Sequence, residues 1–156
     1  MSAPFRHLIA LINEMEGLCT ELVPLIAAER QALVALEFER LQEIAAQKNR
    51  LVDVLAFKRA EALTLTGSIA QANGHENVDR VTKLAPLLPP EQSEELNPHY
   101  LRFQARAQEV EFVNATNRAL AEEGLLSMEE AISWLFGQRE NQVTYDRPGQ
   151  TPKVEP

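Results

Sequence analysis

Apolar residues recur at alternating four- and three-residue intervals along three long stretches of the chain. In the first, Leu8, Ile12, Met15, Cys19, Leu22, Ile26 and Leu33 keep this spacing, with Glu29 as the one polar interruption. A 4-3 alternation averages close to one helical turn per step, so it lays an apolar seam along one side of a helix. It predicts a helix over about 4–34. Pro24 falls inside the pattern. A proline in a helix interior removes one backbone hydrogen bond and costs ~3 kcal/mol. The seam keeps its register on both sides of Pro24, so a kink is expected there rather than an end.

After the charged stretch Glu37 to Arg40, the seam resumes with Leu41, Ile44, Lys48, Leu51, Leu55, Lys58, Ala62, Leu65 and Ile69, predicting a helix over about 38–70. Two of its positions are lysines, whose stems can lie on apolar surface while the ammonium reaches water. Asn73-Gly74 is a turn signal. Residues 77–85 have short-helix character, and Pro86, Pro89 and Pro90 then predict an extended linker over 86–98. Ser93 is a candidate N-cap, and Pro98 suits an early turn. A third seam, Leu96, Tyr100, Phe103, Ala107, Val110, Asn114, Asn117 and Ala121, predicts a helix over about 92–123. Gly124 either ends or weakens it. A shorter helix is expected over about 125–136, stopped by Gly137 at the position after the cap.

Strand patterning is absent, and only 6 of 156 residues are glycine. Long seamed helices joined by turns predict an all-α fold: an antiparallel bundle of coiled-coil-like helices with a shorter C-terminal helix. The domain is expected to span 1–137. Residues 138–156, rich in proline and with Val143, Tyr145 and Val154 as their large apolar side chains, read as a flexible tail.

Charge and chemistry narrow the function. The net charge is −8 at pH 7, and no clustered basic surface is visible for nucleic acid. No uncharged apolar run approaches the ~20 residues a bilayer requires. The run Leu8 to Ile12 is too short for a signal peptide. A single cysteine, Cys19, excludes an internal disulfide and favours the cytoplasm. His7, His75 and His99 fall into no metal-ligand spacing, the carboxylates are dispersed, and no glycine-rich phosphate loop exists. The expectation is a non-enzyme without metal or other cofactor.

Two features stand out from a plain bundle. Asn114 and Asn117 occupy the middle of the third seam. Buried, they would fix register or partner choice at a cost in stability; otherwise they cap local backbone or face solvent at the seam's edge. In the segment 125–136, Leu125, Met128, Ala131, Ile132, Leu135 and Phe136 share one helical face about 140° wide. Trp134 and Leu126 point elsewhere. Either the helix is buried on several sides by its own fold, or it offers a second surface to a partner.

The run ERQALVALEFERLQEIAAQKNRLVDVL resembles the N-terminal half of the FlgN family of flagellar export chaperones. The corresponding positions are Glu37, Leu41, Ile44, Lys48, Leu51, Val52 and Leu55. The pattern Asn114, Asn117, Leu120 is similar to a third-helix motif of that family, and Thr144, Tyr145 and Gly149 match its Thr-Tyr-x-x-x-Gly ending. The linker APLLPPEQSEELNP and Pro24 are departures. The resemblance implies a cytoplasmic type III secretion chaperone. It would bind hook–filament junction proteins of the FlgK and FlgL type, prevent their premature assembly, and deliver them to the export gate protein FlhA, with no nucleotide or metal. It implies a cargo surface in Leu120, Leu125, Leu126, Met128, Ile132, Trp134, Leu135 and Phe136, with Tyr145 as the gate contact. Self-association into a homodimer through the cargo surface stays open. The competing expectation is a non-catalytic helical adaptor or coiled-coil oligomerisation module.

Overall fold

The computed structural model describes residues 2–136, and side chains as far as residue 135. Its elements are α1 (Ala3–Ala35), α2 (Phe38–Ala72), the single-turn α3 (Val81–Leu84) leading into a 3-10 turn (Ala85–Leu87), and α4 (Pro90–Phe136). None of the described residues is in a strand, so the all-α reading holds. The chain divides into two compact units, Met1–Asn117 and Arg118–Pro156, and α4 contributes to both.

The start of α1 is set by Ser2, whose Oγ accepts from the Phe5 N–H at 3.4 Å, with a proline in the first turn. The helix passes through Pro24 without ending. Pro24 is exposed, so water can reach the carbonyl that its missing N–H leaves free. The end of α1 is less ordinary. Leu36 adopts a left-handed conformation (φ 56°), its N–H bonding the Leu33 carbonyl while the Glu37 N–H bonds that of Ala32. This is the pair of bonds that a glycine usually closes. At the far end of α2, Gly74 (φ 81°) makes the equivalent turn, with its N–H on Gln71 and the His75 N–H on Ala70. The Asn73-Gly74 signal marked that end correctly, whereas no sequence signal marks Leu36.

Cross-helix pairs give the directions within the first unit. His7–Glu61, Glu14–Lys58 and Glu29–Lys48 descend α2 as they climb α1, so these helices are antiparallel. Asn13–His99, Glu16–Arg102 and Glu29–Asn117 climb together. Residues 90–117 of α4 therefore run parallel to α1 and antiparallel to α2.

The main core lies where α1 begins and α2 ends. Phe5, Leu8, Leu11, Ile12 and Met15 pack with Ala62, Ile69 and Ala70, with Leu96 of α4, and with Leu84 and Leu88 from the connection. Each large apolar side chain buried there contributes ~1.5–3 kcal/mol. The α1 seam continues as buried Cys19, Leu22 and Ile26, and the predicted α2 seam contributes buried Ile44. Thr66 is also fully buried, its hydroxyl bonded to the Ala62 carbonyl at 2.8 Å.

Two local expectations need correction. Residues 86–98 are not an extended linker. Pro86 sits in the first positions of a 3-10 turn, Leu88 is extended, and α4 already begins at Pro90. Proline is favourable where a helix starts because its absent N–H has no intrahelical acceptor there. Ser93 is accordingly inside the helix, its N–H on the Pro89 carbonyl, and Pro98 lies in the helix interior. The expected helices 92–123 and 125–136 are one element, with the 125–136 segment as the last part of α4. Gly124 weakens the helix by ~1 kcal/mol relative to alanine and keeps a helical sign of φ, unlike Gly74. The residues 137–156, with Thr144, Tyr145 and Gly149, lie outside those described.

Candidate functional site

The most exposed apolar surface of α4 lies in the second unit. There Leu125, Leu126, Met128, Ile132, Trp134 and Leu135 are all exposed, from 40% for Ile132 to 82% for Trp134. Leu120 and Ala121 are half-buried. Helical spacing puts Leu125, Met128, Ile132 and Leu135 along one stripe, with Leu126 and Trp134 turned away from it. Phe136 closes the helix. Between these positions stand Glu122, Glu123, Glu129 and Glu130. The surface is thus apolar on more than one side, and the charged residues between its apolar positions are all acidic.

The first unit carries a different polar feature. The four polar residues that interrupt the seams around this level, Glu29, Lys48, Asn114 and Asn117, come together from three helices. Lys48 Nζ lies 3.3 Å from both Glu29 carboxylate oxygens and donates to Asn114 Oδ1 at 2.5 Å. Asn117 Nδ2 donates to Glu29 Oε1 at 3.0 Å and to the Ile26 carbonyl at 2.7 Å. Asn117 is only 4% exposed, so it neither faces solvent nor caps its own helix. Among the described residues no buried side-chain nitrogen or oxygen lacks a partner. This partly covered charge pair is tolerated because each member is hydrogen-bonded as well as paired.

Sequence spacing marked each of these residues as a seam interruption but did not show that they meet. The signal was available in their phase. Glu29, Lys48 and Asn114 lie at corresponding heights once α1 and α2 are laid antiparallel and α4 parallel to α1. Lys58, the other seam lysine, likewise reaches a carboxylate, Glu14 Oε2 at 2.5 Å.

Titration chemistry is sparse. Burial pushes the Cys19 thiol above its ordinary range, which suits an unreactive core residue. The Lys83 ammonium, hydrogen-bonded at 2.7 Å, holds the Asp79 carboxyl below its ordinary value, helped by the charge of Arg80. Among the described residues no group of three or more His, Cys, Asp or Glu side chains is placed to hold a metal ion. No described helix is long and apolar enough to cross a membrane.

A long-helix bundle knit by a polar layer, together with a helical segment that leaves its apolar side chains uncovered, defines a helical binding protein. The family model described as FlgN protein matches residues 1–153, and the chain belongs to the FlgN family. It is, in that general sense, a chaperone of flagellar export. Neither the curated proteins nor the solved structures give a match.

Proposed function

We propose that the protein acts without catalysis, in the cytoplasm, on hook–filament junction proteins of the FlgK and FlgL type. It covers an amphipathic helix of the cargo until delivery to an export gate of the FlhA type. The observation that carries this reading is the exposed apolar surface of residues 125–135. A cargo helix that would self-assemble needs an apolar face to cover it, and a helix-to-helix contact supplies one. Trp134 and Leu126 widen that surface beyond a single stripe, and a buried tryptophan is a common anchor of such contacts. Tyr145 serves as the gate contact in this reading.

Titration calorimetry tests it. Full-length protein is titrated with the C-terminal helical segment of its own organism's FlgK-type protein, beside the variant Leu126→Glu/Trp134→Glu. Loss of two desolvated apolar contacts should weaken binding by roughly a hundredfold or more, with an unchanged circular-dichroism spectrum. Equal affinity of the two proteins would remove the surface from the site. Absence of binding by both, with concentration-dependent self-association of the intact chain, would favour the oligomerisation module. Tyr145→Ala should leave cargo affinity intact and abolish binding to the gate protein; unchanged gate binding would remove Tyr145 from that role.

A further inference from the structure

A second surface lies in the first unit and does not depend on the cargo reading. A groove of ≈ 690 Å³ runs between α2, the connection after it and α4. Its floor is the flank of the core. Met15 and Ala62 are buried there, and Val81 and Phe103 pack against the core without being fully covered. Leu63 remains 41% exposed at its side. Two guanidinium groups, Arg59 and Arg80, stand at the rim. Neither forms an ion pair among the described residues, which is true also of Arg6, Arg30, Arg50 and Arg118 elsewhere on the chain. The one acidic group on the rim, Asp79, is held by Lys83.

Past Val81, Thr82 and Tyr100, which line both, a smaller cavity of ≈ 380 Å³ continues between the connection and α4. Its remaining walls include Asn97, Leu101 and Gln104, and none of its lining residues is charged. The two spaces thus differ in charge: Arg59, Arg80 and Asp79 line the larger one, and no charged residue lines the smaller one that shares Tyr100 with it.

We propose that this groove docks an acidic–apolar peptide segment of a partner protein. A carboxylate of the segment pairs with Arg59 and Arg80, an apolar side chain enters over Val81 and Phe103, and an uncharged continuation passes Tyr100. Unpaired guanidinium groups favour carboxylates through parallel N–H···O bonds. The apolar floor makes a bare inorganic anion a poor fit, because nothing on it would cover the exposed Leu63 and the half-buried Phe103. A basic segment is repelled at the rim. In a chain of net charge −8, a groove lined by two arginines and a single carboxylate already bonded to Lys83 is locally positive, which selects an acidic partner.

Fluorescence anisotropy on the full chain tests this, with the labelled synthetic peptide Asp-Leu-Phe-Asp-Ser-Leu-Gln and a counterpart carrying lysine for each aspartate. Saturable binding of the acidic peptide below about 1 mM, with weaker binding of the lysine peptide, is expected. Arg59→Glu/Arg80→Glu should weaken the acidic peptide roughly tenfold and reverse the preference between the two. Both positions are exposed, so the variant should keep its melting temperature. Trp134→Ala is expected to leave peptide binding unchanged. The proposal is overturned by equal binding of both peptides, by a charge reversal without effect, or by absence of binding at that concentration. Self-association of the intact chain that disappears in the double variant would also overturn it, since the occupant would then be a second copy.

Discussion

Leu8 and Leu125 both lie in strongly helical sequence, each with apolar neighbours three or four residues away, yet Leu8 is fully buried and Leu125 is 60% exposed. The difference lies in what surrounds each stretch. Around Leu8 the apolar positions widen the seam to Ile9 and Leu11 on either side, and α2, the connection and α4 all bring apolar side chains against that face. Around Leu125 they spread to several faces, and the charged residues between them are all acidic as far as Trp134. A one-sided seam is satisfied by the bundle that contains it. A helix that is apolar on several sides, with those sides in water, leaves surface whose burial is still to come.

The largest effect separates the two regions by stability. Leu8→Ala removes a side chain with no exposure and leaves a cavity, so it should cost ~2–5 kcal/mol and lower the melting temperature visibly in a thermal scan. Trp134→Ala removes a larger side chain from the 118–136 region and should change stability by less than about 0.5 kcal/mol. If Trp134→Ala destabilised the chain as Leu8→Ala does, the segment 125–135 would belong to the protein's own core and not to a binding surface.

A middle-sized effect concerns the polar layer. Glu29→Ala leaves the Lys48 ammonium with Asn114 alone and takes one acceptor from Asn117. Glu29 and Lys48 are partly covered, their side chains 18% and 21% exposed. The penalty of a stranded charge is therefore below that of a fully buried pair, about 1–3 kcal/mol. Replacing Glu29, Lys48, Asn114 and Asn117 together by leucine should recover that loss or exceed the wild-type melting temperature. It should also cost uniqueness, read as broadened amide resonances or mixed oligomers, because nothing polar would then fix the register of the three helices. Sharp spectra and a single species from the leucine variant would show that the layer does not set register.

Much of this was legible in the sequence, for a definite reason. The seams of α1 and α2 follow the helical period directly, and every apolar α1 seam position from Leu8 to Ile26 is buried, although Leu11, Thr66 and Ala70 are buried beside the seams. The segment 125–136 was readable as odd, because its apolar residues break that one-sidedness. What stayed hidden depends on how helices are laid against each other. That Glu29 meets Lys48 and Asn117 follows from the register of packed helices, between residues 19 and 88 positions apart. The connection misled for a different reason. Prolines signal a break, but Pro86 and Pro90 are equally at home in the first turn of a helix. The core roles of Leu84 and Leu88 are tertiary facts with no local period to reveal them.

The smallest effect is the most diagnostic of what an exposed leucine is worth. Leu36 is the first unit's counterpart of Leu125. It is 64% exposed and, unlike Leu125, it holds a left-handed backbone that a leucine adopts only at a cost of about 1–2 kcal/mol. Glycine has no such strain but loses about 0.5–1 kcal/mol more in chain entropy on folding. Leu36→Gly should therefore stabilise by about 1 kcal/mol or less, a rise of about 2–4 °C at most. Gly74→Ala, at the matching turn after α2, should lose about as much, since no atom obstructs the added methyl and only its φ of +81° opposes it. If Leu36→Gly instead destabilises, the exposed leucine contributes to the fold through contacts that its surface exposure does not suggest, and exposure alone would no longer mark Leu125 and Trp134 as surface held for a partner.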